Sequence, residues 1–147
     1  MRILTIKEKD VKMIEQIGKS VLPIHYNGEE LEMMLELEKY LLLKMMENGN
    51  IVGFMILEKT KKKNYHICSI GVDKKFQRRG IATKLIQYIK ARYKNYTISL
   101  NVQTGNKKAL DCYKKNGFRV QKKYCNYYNC FENNNDAFFM RFSCDKC

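Results

Sequence analysis

Apolar positions along this chain recur with two periods. Short apolar or alternating runs bounded by turn residues mark strands, and apolar positions every three to four residues mark helices. A short strand is expected over residues 2–7. Asp10 is placed to cap a helix that carries Val11, Ile14 and Ile17 on one face and ends near Gly18. Leu22-Pro23-Ile24-His25-Tyr26-Asn27 reads as a loop, because proline restricts the residue before it. Residues 28–37 form a short acidic helix. Strands over 40–46 and 51–59 are joined by Glu47-Asn48-Gly49-Asn50, whose Asn-Gly pair is a strong hairpin signal. A polar turn at 61–64 leads to a strand over 65–72. Residues 80–93 form an amphipathic helix with Ile81, Leu85, Ile86 and Ile89 inward. A strand over 97–103, a helix over 106–116 closed by Gly117, and strands over 118–124 and 137–143 complete the chain. This order predicts an α/β domain with one mixed sheet.

Length changes the picture little: 147 residues make one ordinary domain over 1–147, enough for a single core. There is one proline, no Ser/Gly tract and no internal repeat. Charged residues at the start argue against a secretory signal, and the apolar runs at 40–43 and 51–57 are too short to cross a bilayer. A soluble protein of the cytoplasm or nucleus is expected, with no membrane partner. The net charge of +13 raises the question of nucleic acid. Lysines outnumber arginines 22 to 6, and they read as scattered and solvated, with no specific nucleic-acid partner. Such charge still draws in an anionic cofactor. Of the six cysteines, Cys125, Cys130, Cys144 and Cys147 cluster late. Their spacing lacks the paired short turns of a zinc knuckle, so no metal is expected. Cys68 and Cys112 read as reduced, buried fillers.

Two segments carry candidate chemistry. In Ile70-Gly71-Val72-Asp73-Lys74-Lys75-Phe76-Gln77-Arg78-Arg79-Gly80-Ile81-Ala82-Thr83 a strand runs into a basic loop and then a helix. The free N–H groups and dipole of a helix start favour an anion, and Gly80 and Ala82 let one approach the backbone. Neither common phosphate loop is present. The alternative is an ordinary helix start with basic residues. In the second segment Asn106 suits a helix N-cap and Gly117 the left-handed position after a helix. Tyr113 lies two turns along the same face, a position that core tyrosines also take.

Together, Gln77-x-x-Gly80-x-Ala82 after a strand and Asn106-x-x-Ala109-x-x-x-Tyr113-x-x-x-Gly117-Phe118 resemble the GNAT acetyltransferase pattern. The resemblance implies a single GNAT domain. Its mixed, mostly antiparallel sheet has about seven strands flanked by about four helices, with acetyl-CoA in the splay between strands 4 and 5. It implies roles too. The amides of Arg78, Arg79, Gly80, Ile81, Ala82 and Thr83, with Gln77, hold the pyrophosphate. The strand through Ile70 and Val72 pairs with the pantetheine arm, Asn106 hydrogen-bonds that arm, and Tyr113 donates a proton to the leaving thiolate. A thiolate gains from a donor where its charge develops.

Three further stretches resemble the N-terminal acetyltransferases, most closely those of the NatE (San) type. They are the loop Val21-Leu22-Pro23-Ile24-His25-Tyr26-Asn27, the strand Leu100-Asn101-Val102-Gln103, and Lys123-Tyr124-Cys125-Asn126-Tyr127-Tyr128. The implied substrates are protein N-termini, with Leu22, Pro23, Ile24, Tyr26, Cys68, Tyr127 and Tyr128 around an apolar first residue such as methionine. Tyr26 and Tyr128 then bond the peptide backbone. That family places a tyrosine where this chain has His66 and a histidine where it has Asn101. The expectation here is that His66 acts as base, directly or through water, with Asn101 orienting it. Strand alternation puts His66, Cys68 and Ile70 on one face. The resemblance also implies a helical-repeat auxiliary subunit, work near the ribosome, and a catalytic chain monomeric in isolation. The competing readings are a lysine side-chain or small-amine acetyltransferase, a basic ribosome- or nucleic-acid-binding module, and a scaffold that binds acetyl-CoA poorly. A covalent acetyl-cysteine route is less expected than direct attack in a ternary complex.

Overall fold

The two periods become seven strands and four helices in the computed structural model, which describes residues 1–143. In chain order they are β1 (Arg2–Thr5), α1 (Val11–Val21), α2 (Gly28–Glu36), β2 (Tyr40–Glu47), β3 (Asn50–Lys61) and β4 (Asn64–Val72). Then come α3 (Ile81–Arg92), β5 (Thr97–Gln103), α4 (Lys107–Lys115), β6 (Arg119–Tyr124) and β7 (Ala137–Phe142). The sheet order is β1-β2-β3-β4-β5-β7-β6, antiparallel throughout except for the parallel pair β4–β5. The β2–β3 hairpin turns as its Asn-Gly predicts, with Asn48 and Gly49 both at positive φ (51° and 80°).

Each face of the sheet carries two helices and its own core. On one face Val11, Ile14 and Ile17 of α1 and Leu31 and Met34 of α2 pack on Leu42, Phe54 and Ile56. On the other, Ile81, Leu85, Ile86 and Ile89 of α3 and Leu110 of α4 pack on Met55, Leu57, Ile67, Ile98, Leu100 and Val102. The four inward positions expected for α3 are all fully buried.

Three local expectations are corrected. Asp10 does not cap α1 with its side chain; that carboxylate accepts the Lys7 N–H (2.8 Å) and the Lys44 ammonium (2.6 Å) in a buried ion pair joining the start of α1 to β2. Burial raises the Asp10 pKa, but Lys44 and the Lys7 amide outweigh it and hold the carboxyl below its usual range. Gly18 does not end α1, which runs to Val21; a Cβ there would stand 3.3 Å from His25 Cβ, so the glycine admits the following loop. Finally, Ile56 pairs with Ser69 and Leu57 with Ile67, so Cys68 is the unmatched residue of a β-bulge. The bulge breaks the alternation. Cys68 packs in the α1–α2 core whereas Ile70, with Ile67 and Val72, packs on the α3–α4 side.

That bulge positions the site. β4 pairs with β5 only from Asn64–Thr97 to Ile67–Leu100, and at Cys68 the two strands part. Of the late cysteines, Cys125 and Cys130 are exposed free thiols, while Cys144 and Cys147 lie outside the described residues. Among the described residues no group of three metal-ligating side chains occurs, and no helix is long and apolar enough to cross a membrane.

Candidate active site

On the α3–α4 face a cavity of about 400 Å³ is lined by Ile70, Val72, Gln77, Arg78, Gly80, Ile81, Ala82 and Thr83, with Lys108 and Cys112 of α4. Its floor is the start of α3. Gly80 is the N-cap at φ 75°, a left-handed turn that glycine takes without penalty, and no side chain caps the helix. The first amides of α3 therefore lack side-chain partners on a cavity wall, where a helix dipole favours an anion. A Cβ at Gly80 would meet nothing within 4 Å, so this backbone is open. Gln77 steadies the loop by donating to the Val72 carbonyl (3.0 Å). Arg78 lines the cavity at φ 68°; the Arg79 guanidinium is turned away, 3.5 Å from Glu47 and over the Phe76 ring. Arg79, expected at the cradle, is not among the residues that line this cavity.

α4 is fixed at both ends. The Asn106 carboxamide oxygen accepts the Ala109 N–H (3.2 Å), leaving its NH2 for another partner. At the other end Phe118 N–H donates to Tyr113 O and Gly117 N–H to Lys114 O, a Schellman closure with Gly117 at φ 88° and Phe118 buried in the core. Tyr113 is held by this turn against Phe118, and burial pushes its phenol pKa well up, so it remains a proton donor.

The opening between β4 and β5 joins this face to a second cavity of about 430 Å³. From the α3–α4 side come Ile70, Asn106 and Tyr113. From the α1–α2 side come Leu22, Pro23, Ile24, Tyr26, His66, Cys68, Asn101, Tyr127 and Tyr128. Every predicted acceptor-side residue is there. His66 Nδ1 lies 2.8 Å from Ser99 Oγ, and Asn101 Nδ2 lies 3.5 Å from His66 Nε2 and 3.1 Å from the Tyr127 hydroxyl. A donor facing Nε2 selects the tautomer with its proton on Nδ1, given to Ser99, and its lone pair on Nε2. Burial lowers the His66 pKa, against a smaller rise from Glu58, which keeps the ring neutral. The Asn101 Oδ1 atom is buried without a partner among the described residues. A lone buried acceptor costs free energy unless something donates to it.

Tyr128 is pushed up to about 12 by burial and by Tyr127, and Tyr26 is raised further by burial, so both phenols keep their protons. The Cys68 thiol is pushed up to about 11, by burial first and by Glu58 second, so it is no ready nucleophile. The mouth continues between Pro23–His25 and Asn126–Cys130.

The residues at 7–130 match the model of the acetyltransferase (GNAT) domain. The chain belongs to the GNAT acetyltransferases. Acetyl-CoA is the acyl donor of that family, and the uncapped amides, open Gly80 and basic rim fit its pyrophosphate. Among curated relatives, an N-alpha-acetyltransferase of Sulfurisphaera tokodaii is 28% identical over 155 aligned positions, covering 95% of this chain and 90% of the relative. N-alpha-acetyltransferase 50 of Danio rerio is 26% identical over 128 residues, 81% of this chain and 74% of the relative. The crystal structure of the ribosomal-protein-S18-alanine N-acetyltransferase of Escherichia coli superimposes with a TM-score of 0.87 at 21% identity, covering 97% of this chain and 92% of that one.

Sequence reasoning missed several features. Ser99 is the buried partner of His66, and its signal was its place two residues before Asn101 on β5. Glu58 lines the acceptor cavity at the end of an apolar strand, paired with Lys39 at 3.1 Å. Phe131, Lys108 and Cys112 also reach the cavities. The direct bond from Asn101 to Tyr127 had no sequence signal, because it joins segments 26 residues apart.

Proposed function

We propose that this GNAT enzyme acetylates the α-amine of polypeptides, with methionine preferred first, by direct attack in a ternary complex. The observation that carries this reading is the junction at Asn101. There a neutral imidazole, a phenol and an unpartnered buried carboxamide oxygen converge where the gap between β4 and β5 opens toward the α3–α4 face. Acetyl-CoA supplies an activated acyl group with a good leaving thiolate. The chain supplies the rest.

Arg78, Gly80, Ile81, Ala82 and Thr83 hold the pyrophosphate, with Gln77 closing the loop. Ile70, Val72 and the free NH2 of Asn106 align the arm. On the other face Leu22, Pro23 and Ile24 seat an apolar first side chain, and Tyr26 and Tyr128 donate to the peptide backbone. Asn101 orients the His66 ring through its NH2, 3.5 Å from Nε2, where the incoming amine or a water serving it approaches. His66 Nε2 takes the proton, directly or through that water; an α-amine near pKa 8 needs little help at neutral pH. Tyr113, kept protonated by burial, donates on the cofactor side.

Two relatives named as N-alpha-acetyltransferases support α-amines as acceptors, and the NatE type is the reading the sequence resemblance favours. A helical-repeat subunit and work near the ribosome belong to the same reading. The test is thiol release from acetyl-CoA with a panel of Met-Leu, Met-Lys, Ser and Ala N-termini, against an N-blocked peptide bearing an internal lysine. Turnover is expected for free Met-started peptides. Turnover of the blocked lysine peptide alone would overturn the proposal and leave a lysine acetyltransferase.

A further inference from the structure

The net charge of +13 is not scattered, contrary to the expectation from composition. Residues 59–110 contain 14 of the 28 basic side chains and a single acid, Asp73, of the 15. The rest of the chain is balanced, so this stretch alone holds the net charge. Seven of its cations (Lys74, Lys75, Arg78, Arg79, Lys84, Lys107 and Lys108) belong to the cradle loop, α3 and the start of α4, on the cofactor side. The other seven lie toward the opposite end of α3 and β4, on the β3–β4 turn, the last turns of α3 and the α3–β5 connection.

At that end the two connections are tied together. Thr97 N–H donates to Lys63 O at 2.9 Å, and the Thr97 hydroxyl donates to Asn64. Tyr65, Tyr93 and Tyr96 form one cluster, with Tyr65 stacked on Tyr96 at 5.3 Å and tilted on Tyr93 at 4.8 Å. Lys59 Nζ stands 5.7 Å over the Tyr96 ring. A hollow of about 380 Å³ between them is lined by Lys63, Arg92, Tyr93, Lys94 and Tyr96. Lys59, Lys61, Lys62, Lys63, Arg92 and Lys94 are all exposed, and among the described residues none is in an ion pair. β4 and β5 are still paired here; the splay opens at Cys68, five residues along β4 from Lys63, roughly 17 Å at the rise of a strand. The patch therefore serves neither the cradle nor the acceptor cavity.

We infer that this end of the molecule binds the sugar-phosphate backbone of single-stranded RNA. Six unneutralised cations repel one another in the free protein, and a phosphate strand relieves that repulsion while releasing its own counterions. Tyrosine rings lining a hollow among lysines suit bases, each of which has a flat face to stack. An acidic protein segment would meet the charges but leave the rings without a matched partner. RNA is chosen over DNA on the strength of the proposed acceptor, because polypeptide N-termini first emerge beside RNA. Binding is measured without acetylation, so failure here and failure of the proposed activity are separately visible.

The probe is a labelled single-stranded RNA of mixed sequence, followed by anisotropy on the whole chain between about 50 and 200 mM salt. The triple variant Lys61→Glu, Lys62→Glu, Lys63→Glu is expected to weaken binding by about 30-fold or more and to lower the salt slope by about 2. Its peptide acetylation without RNA stays at the wild-type level. Tyr96→Leu is expected to weaken binding several-fold at unchanged slope, the mark of lost stacking. The matched control Lys12→Glu, Lys19→Glu, Lys114→Glu carries the same charge change away from the patch and is expected to lose less than about threefold. The alanine triple at 61–63, with its melting temperature, guards against a folding loss. Equal losses in the two glutamate triples would reduce the effect to bulk charge and overturn the inference. Tighter binding of the same sequence as DNA, or preferential capture of a poly-glutamate peptide, would overturn it as well.

Discussion

On the α3–α4 face the site is made largely of backbone, in one continuous stretch from Ile70 to Thr83, backed by a helix whose two ends are capped within 106–118. On the α1–α2 face it is made of side chains from four distant segments: the loop after α1, β4, β5 and the β6–β7 connection. Backbone amides around a left-handed glycine can hold a phosphate whatever surrounds them. A network such as Ser99–His66–Asn101–Tyr127 depends on each member keeping its place. The first half can therefore be shared by enzymes with different acceptors, while in the proposed function the second selects the amine.

The sharpest way to separate the halves is Tyr113→Phe. The ring keeps its packing on Phe118, so stability should change little, while loss of the proton donor lowers kcat by about 100-fold or more with KM for acetyl-CoA nearly unchanged. Rapid-quench or steady-state thiol release checks it, and an unchanged kcat would move the donor elsewhere. Next comes Gly80→Val. A β-branched residue at φ 75° is strained by about 1–3 kcal/mol and narrows the cradle mouth, so KM for acetyl-CoA should rise about 30-fold while peptide KM stays put. A matching rise in peptide KM would mean the halves are not independent.

This division explains what was legible in the sequence. The cradle and α4 are local, and Asn106, Gly117 and Gly80 each announce a backbone conformation, so their places could be read from spacing alone. The hairpin at Asn48–Gly49 was legible for the same reason. Asp10 misled because its strongest partner, Lys44, lies 34 residues away on β2 and its carboxylate turns there and not to α1. Ile70 misled because alternation assumes an unbroken strand, and the bulge at Cys68 is set by pairing with β3 and by the parting from β5. His66 and Asn101 were expected to be neighbours and lie 3.5 Å apart, but Ser99 and Tyr127, which fix the orientation of the pair, are tertiary facts. Charge, summed over the whole chain, hid its concentration in residues 59–110.

His66→Phe tests the acceptor half through pH. Burial holds the His66 pKa below its usual 6.5, so wild-type kcat should fall only as pH drops through that lowered value, where the ring gains its proton and ceases to be a base. Above it the ring is neutral and activity is full. The variant should lose about tenfold at neutral pH, a modest figure because an α-ammonium with a pKa near 8 is acidic enough to need little help, and its profile should lack the histidine limb. A profile with the limb intact would identify a different titrating group.

Tyr127→Phe should have the smallest effect and says most about how the acceptor half works. Its hydroxyl takes the Asn101 N–H at 3.1 Å, the shorter of the two contacts of that NH2; the other, to His66, is 3.5 Å. Without the phenol the carboxamide can turn fully toward His66 Nε2 or flip to present its oxygen there. Either motion costs part of the alignment and leaves the base in place. The expected loss is about threefold in kcat/KM for peptide, a fraction of one hydrogen bond, with no change in KM for acetyl-CoA. Combined with His66→Phe the two losses should fall short of additive, since Tyr127 acts through the pair it orients. Full additivity would show that Tyr127 touches the peptide independently, and Asn101 would then be positioned by the strand alone.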